Sequence, residues 1–217
     1  MQFAHDLKMP IQLIYSCVQL LEMELESNDR AEGYLKLLER SADQLQNMVR
    51  SALDNGDFRG AGPVPRLSLC DVVAEARSVA RQCEPFARER GVTVAFGSNA
   101  AEFTMAIDVE KLDRILHNLL SNALRFTQAG GQVEVFVALR GDAVEFIVSD
   151  DGCGISPERQ QRIFELGETE GGLGYGLAIV REYAMLLGGG VGVESAPGRG
   201  SRFTVRLPVR ASEELPA

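Results

Sequence analysis

The chain has 217 residues, 45% hydrophobic and 24% charged, with a net charge of −9. That length allows one or two domains with a real buried core, and the negative balance argues against a general nucleic-acid-binding surface. Two histidines and four scattered cysteines (Cys17, Cys70, Cys83, Cys153) form no zinc-ligand cluster, no apolar run reaches membrane-spanning length, and no signal peptide is visible.

Reduced thiols in a cytoplasmic protein are the expectation from this pattern. The stretch Phe3-Ala4-His5-Asp6-Leu7-Lys8-Met9-Pro10-Ile11 opens an amphipathic helix expected over about 3–26. Its apolar residues Leu7, Ile11, Ile14, Val18, Leu21 and Leu25 alternate steps of four and three. That is the spacing of a heptad seam, which buries itself against other helices. His5 falls off the seam, toward water. A solvated histidine is the plain reading of such a position. Two neighbours offer another. Asp6 can hold the imidazole in one tautomer. Pro10 leaves the Asp6 carbonyl without its helical partner and bends the helix beside His5. A bundle helix that opens almost at its key residue suggests a cytoplasmic piece of a longer protein.

After a turn at Ser27-Asn28-Asp29, a second helix is expected over about 30–55. Its seam is Tyr34, Leu38, Ser41, Leu45, Met48 and Ala52. Two such helices joined by a short turn make an antiparallel hairpin. One hairpin has too little partner surface for both seams. Two chains pairing into a four-helix bundle, a homodimer, would supply it; the alternative is packing on the rest of the same chain. Residues 56–65 (GDFRGAGPVP) read as a linker.

Beyond the linker, strands are expected over 66–69, 92–96 and 104–107, with helices over 71–90 and 109–126. Segments 132–139 and 143–149 flank Arg140-Gly141-Asp142, a hairpin signal. A helix over 156–165 would be capped by Ser156, with Pro157 at its first position. Another helix is expected over 176–187. Strands over 191–194 and 202–209 surround a Pro197-Gly198-Arg199-Gly200 turn, and 211–217 reads as a loose tail. The fold class is α+β: the helical hairpin, then a sandwich with one mixed sheet and helices on one face.

Four stretches of the second part carry chemistry. In RILHNLLSNALRF, Asn118 and Asn122 lie four apart on one helical face. Asn122 could offer an oxygen to Mg²⁺, and Arg125 a charge to phosphate. Alone, such asparagines are usually solvated or capping residues. In VSDDGCGI, a carboxylate at a strand end, Asp150, precedes Gly152 and Gly154. The carboxylate can accept a hydrogen from an exocyclic amine, as in adenine, while the glycines admit a flat base. A plain Asp-Gly turn is the competing reading. In GGLGYGLAIV, Gly172, Gly174 and Gly176 run into a helix whose N–H groups could bind phosphate. The spacing is neither that of a Rossmann fingerprint nor that of a Walker loop. PGRGSRF is a tight turn into the last strand.

In this order and spacing the stretches resemble the two-component sensor histidine kinases from Phe3 to about Pro208. FAHDLKMPI is similar to the family's H-box, NLLSNA to its N-box, DDGCGI to its first glycine box, RIFELG to a shortened F-box and GGLGYGLAIV to its second glycine box. The resemblance implies a dimerisation and phosphotransfer hairpin over 1–55 and a catalytic ATP-binding domain over 66–210. It implies His5 as phosphoacceptor, with Asp6 as general base or orienter. Asp150 would bind adenine, and Asn118, Asn122 and Arg125 would sit at the Mg²⁺–triphosphate end, with Asn122 the metal residue. Gly152, Gly154, Gly172, Gly174 and Gly176 would shape the pocket. ATP and Mg²⁺ are then required, and a response-regulator aspartate receives the phosphoryl group.

The chain departs from the family pattern in places. Met9 stands four residues after the histidine, where family members that dephosphorylate their regulator have Thr or Asn. A thioether cannot donate a hydrogen bond to water. The segment between Phe164 and Gly172 is short, and Glu165, Glu168 and Glu170 bring the wrong charge for phosphate, so weak or fast-exchanging ATP is expected. A degenerate ATP-binding scaffold that signals by conformation is the alternative function. An ATP-hydrolysing relative would need a glutamate where this chain has Asn118.

Overall fold

The computed structural model describes residues 65–165 and 176–209, which belong to one unit beginning at Pro65. The helical hairpin expected over 1–55, the linker up to residue 64 and the tail over 211–217 lie outside the described residues. The elements in order are β1 (Ser68–Asp71), α1 (Val72–Glu89), β2 (Thr93–Ser98), β3 (Thr104–Ile107), α2 (Val109–Phe126), β4 (Gln132–Arg140), β5 (Ala143–Asp150), α3 (Pro157–Gln160), α4 (Gly176–Leu186), β6 (Gly190–Ser195) and β7 (Ser201–Pro208).

Five strands form a mixed sheet in the order β2-β4-β5-β7-β6. Only β2 runs parallel to its neighbour; the other pairs are antiparallel. Alternation along the strands places the apolar side chains in rows on one face. Val135, Val148, Phe203 and Val193 make one such row, and Val137, Phe146, Val205 and Val191 the next. Helices α1, α2 and α4 bury their apolar stripes in the same core, through Val73, Ala76 and Val79, through Leu112, Ile115, Leu119 and Leu120, and through Val180 and Ala184. The other face carries the row Glu134, Ser149, Arg202 and Glu194. Phe136 interrupts it: a Cβ at Gly97, directly opposite, would stand 2.7 Å from the ring, so the glycine makes room for the aromatic.

The expectation of a single sheet needs an addition. β1 pairs antiparallel with β3 in a separate two-stranded sheet. β1 also starts two residues later than the pattern suggested, because the Arg66 N–H donates to Asp108 Oδ2 at 2.8 Å rather than to a strand. Asp71 ends β1 and caps α1: its Oδ1 accepts from the N–H groups of Val73, Ala74 and Phe103. The helix expected over 156–165 is shorter than its sequence pattern, and α3 is a single turn. Ser156 makes no side-chain cap bond to it. The chain then turns so that Ile163 enters the core and Phe164 meets Phe203 edge-on, with ring centroids 6.4 Å apart.

Candidate functional site

Helix α2 forms one wall of the site because its amphipathic pattern leaves a polar strip beside the buried face. Asn118, Asn122 and Phe126 follow each other at intervals of four, so they share one side of the helix. Asn118 Nδ2 donates to the Arg114 carbonyl at 2.7 Å, which leaves its oxygen outward. That oxygen faces Gly176, the first residue of α4. A Cβ built on Gly176 would lie 3.1 Å from Asn118 Oδ1 and 3.8 Å from Asn122 Nδ2. The structure therefore joins the asparagine pair to the start of the helix that follows the glycine run.

The contact is held further along by Arg114, whose Nη1 donates to Tyr183 Oη of α4 at 3.1 Å, and by Lys111, whose ammonium stands 5.9 Å from the Tyr183 ring centre. Asn122 is half-buried, and its side chain makes no hydrogen bond among the described residues. A free amide oxygen in that place suits a hard cation, which prefers oxygen ligands. Among the described residues no group of three or more His, Cys, Asp or Glu could hold a metal. A cation here would complete its shell with phosphate and water. The Arg125 guanidinium lies over the Phe126 ring, 5.6 Å from its centre.

At the other end of the same helix face stands the loop after β5. The Cys153 N–H donates to the Phe126 carbonyl at 3.3 Å, and a Cβ at Gly152 would strike that carbonyl. Asp150 closes β5. Its Oδ1 accepts from the Gly152 N–H at 2.9 Å. Burial pushes the Asp150 carboxyl above the usual range, against the lowering effect of the Gly152 and Ser201 N–H groups. Gly154 adopts φ +69°, and a side chain there would run into the Ala196 carbonyl.

The PGRGS turn braces this loop. Gly198 N–H donates to the Cys153 carbonyl at 2.7 Å and Gly200 N–H to the Gly152 carbonyl at 3.0 Å. Gly200, at φ +73°, packs against the Asp150 carbonyl where no Cβ fits. Of the residues singled out from sequence, Asn118, Asn122 and Gly176 come together, and Asp150, Gly152 and Gly154 come together at the far end of the same helix. His5, Asp6, Met9, Gly172 and Gly174 lie outside the described residues.

Three contributors escaped the sequence reading. Asp151 Oδ1 accepts from the Gln132 N–H at 2.8 Å and so anchors the loop to β4. Ser195 Oγ accepts from the Ile155 N–H at 2.8 Å and donates to the Gly200 carbonyl at 2.7 Å. Gln160 binds two carbonyls of the same region. The doubled Asp in VSDD was a usable signal for the first. A lone Ser at a strand end and a Gln on a helix carry none.

A mixed sheet under three helices, with an asparagine pair at one end of a helix face and an Asp-Gly loop at the other, defines a class of nucleotide-binding domain. Residues 107–211 match the family model described as histidine kinase-, DNA gyrase B-, and HSP90-like ATPase. Over 219 residues the chain is 32% identical to histidine protein kinase DivJ of Caulobacter vibrioides, covering 95% of this chain and 36% of DivJ. The crystal structure of full-length ShkA in complex with AMPPNP is 31% identical, with a TM-score of 0.72 over 97% of this chain and 46% of that one. The histidine kinase ThkA in complex with response regulator protein TrrA shares the fold, with a TM-score of 0.70 at 20% identity over 96% of this chain and 60% of ThkA. Over nearly its whole length the chain is similar to two-component sensor histidine kinases. It spans about a third of the length of the curated relatives it matches, 36% for both KinB of Pseudomonas aeruginosa and DivJ. Among the described residues no helix is long and apolar enough to cross a membrane.

Proposed function

We propose that the chain binds ATP along the exposed face of α2 and transfers its γ-phosphoryl group to His5, from which it passes to an aspartate of a response regulator. The supporting observation is the single helix face that meets Gly176 at Asn118 and Asn122 and the Asp150 loop at Phe126. One end suits a triphosphate and the other a base. In this reading residues 1–55 are the dimerisation and phosphotransfer hairpin of a homodimer, and 66–210 the catalytic domain. The work takes place in the cytoplasm, where ATP and the regulator are found.

Asp150 accepts a hydrogen from the adenine amine, which guanine does not present. Gly152 and Gly154 leave the base room to lie flat. Asn122, with Asn118 beside it, would hold Mg²⁺, which supplies charge neutralisation on the triphosphate. Arg125, over the Phe126 ring between the two ends, adds a positive charge within reach of a bound triphosphate, and Gly172, Gly174 and Gly176 would let backbone N–H groups approach the phosphates. Asp6 orients the neutral imidazole of His5 and, as general base, accepts the proton of its other ring nitrogen as positive charge develops. A ring nitrogen attacks the γ-phosphorus in line; the N–P bond forms as the bond to the ADP oxygen breaks. The resulting phosphoimidazole is labile and can be handed on to a carboxylate.

The test is incubation with Mg²⁺ and γ-labelled ATP, for the unaltered chain and for His5→Gln. His117, exposed on α2, is the other imidazole in the sequence. Acid-labile, alkali-stable label that disappears in His5→Gln is the expected result. Nucleotide binding without label would overturn the kinase reading in favour of an ATP-binding scaffold.

A further inference from the structure

Gln160 sits on α3, a helix of one turn with no buried residue and no side-chain cap bond. Such a helix has little of its own to hold it in place. Gln160 supplies the fixture. Its Nε2 donates to the Ile155 carbonyl and to the Ser195 carbonyl, each at 2.8 Å. Ile155 is the last residue of the loop that Asp150 opens. Its N–H is already taken by Ser195 Oγ, at 2.8 Å. Both polar groups of the loop's exit are thus pinned, one by a β6 side chain and one by Gln160. The loop's middle is held by the PGRGS turn and its entrance by Asp150 itself. Of these fixings, Gln160 is the one that ties the loop to α3.

We propose that Gln160 is a specificity-determining positioning residue, which holds the exit of the 150–155 loop so that the Asp150 carboxylate presents to the base at a fixed place. This rests on the reading of Asp150 as the adenine-binding group. Gln160 touches no substrate and acts through the loop. A hydrogen bond discriminates between an amine and a carbonyl only when its acceptor is held; a loose carboxylate can turn aside or admit water. Removing the two donors leaves the Ile155 and Ser195 carbonyls unsatisfied in a partly buried place, and the loop relaxes to find new partners. Base discrimination should therefore suffer more than phosphate binding does.

The experiment compares MgATP with MgITP, whose base carries a carbonyl in place of the amine. Affinities are measured by calorimetry on the whole chain for the unaltered protein, Gln160→Met, Gln160→Lys and Asp150→Asn. Gln160→Met keeps the volume and loses the donors; it should narrow the ATP-to-ITP affinity ratio about three- to tenfold. Gln160→Lys keeps a donor of similar reach and should preserve most of the ratio, which also guards against a fold lost in Gln160→Met. Asp150→Asn should narrow the ratio as well. An unchanged ratio in Gln160→Met, or equal weakening of both nucleotides, with a narrowed ratio in Asp150→Asn, would overturn the role of Gln160 and leave the base reading standing. An unchanged ratio in Asp150→Asn would overturn the base reading and this inference with it.

Discussion

Asp150 has two demands placed on it that conflict. To receive an amine hydrogen it must be ionised, yet burial raises its pKa. The protonated form fits the empty domain, so its stabilising contribution is present at low pH and is lost as pH rises through the folded-state value. At neutral pH the free domain carries a buried charge at some cost. Asp150→Asn should therefore raise the melting temperature of the free domain while lowering ATP affinity about tenfold or more; thermal denaturation and nucleotide titration would check the pair. For the unaltered chain, ATP affinity should begin to fall at a pH above the ordinary aspartate range, seen by titration at a series of pH values. Asp150 was legible in the sequence because a carboxylate, two spaced glycines and a preceding apolar strand occur together. Gln160 was not, because its partners are backbone carbonyls, five and thirty-five residues away. Backbone acceptors leave no mark on composition or periodicity.

Elements whose side chains alternate or repeat were readable to within a residue or two. Helix α2 matches its apolar stripe at both ends, and the β4–β5 hairpin closes at Gly141, φ +62°, as its turn residues require. Elements set by tertiary contacts were not. α3 ends after one turn because Ile163 is drawn into the core, and β1 is displaced by the bond from Arg66 to Asp108. Helices α1 and α2 meet in a way the patterns hid. The Glu75 carboxyl of α1 lies beside Asp113 of α2, and Asp113 Oδ1 is buried without a partner among the described residues. Burial first, and then the neighbouring Asp113, raise the Glu75 pKa. The folded domain thus favours the neutral Glu75 carboxyl beside Asp113, and the stabilisation this brings is lost as pH rises through the folded-state pKa of Glu75. Glu75→Gln supplies a permanent donor. It should stabilise the domain at pH values above the folded-state pKa of Glu75 and flatten its pH dependence, read by chemical denaturation at a series of pH values rising from the ordinary carboxylate range.

Across the whole domain, the site is assembled from parts far apart in the chain. β4 and β5 pair through a two-residue turn, a local event. β2 joins β4 in parallel, from Thr93 opposite Gln132 to Ser98 opposite Val137, and everything between them, including α2, is the crossover. A parallel pair cannot form without such a connection, and closing it is the costly step. The helix that carries Asn118, Asn122 and Phe126 is therefore also the link that completes the sheet. In refolding from denaturant, the local hairpin can form early, whereas α2 takes its final seat only as β2 closes. Capacity to bind a fluorescent ATP analogue should return with the last refolding phase and not with the first gain of secondary structure, a comparison that stopped-flow fluorescence and circular dichroism can make. During synthesis the same order means that a half-made domain has no grip on ATP: the nucleotide can be held only by a chain whose sheet is already closed, so each molecule that binds ATP has passed a test of its own folding.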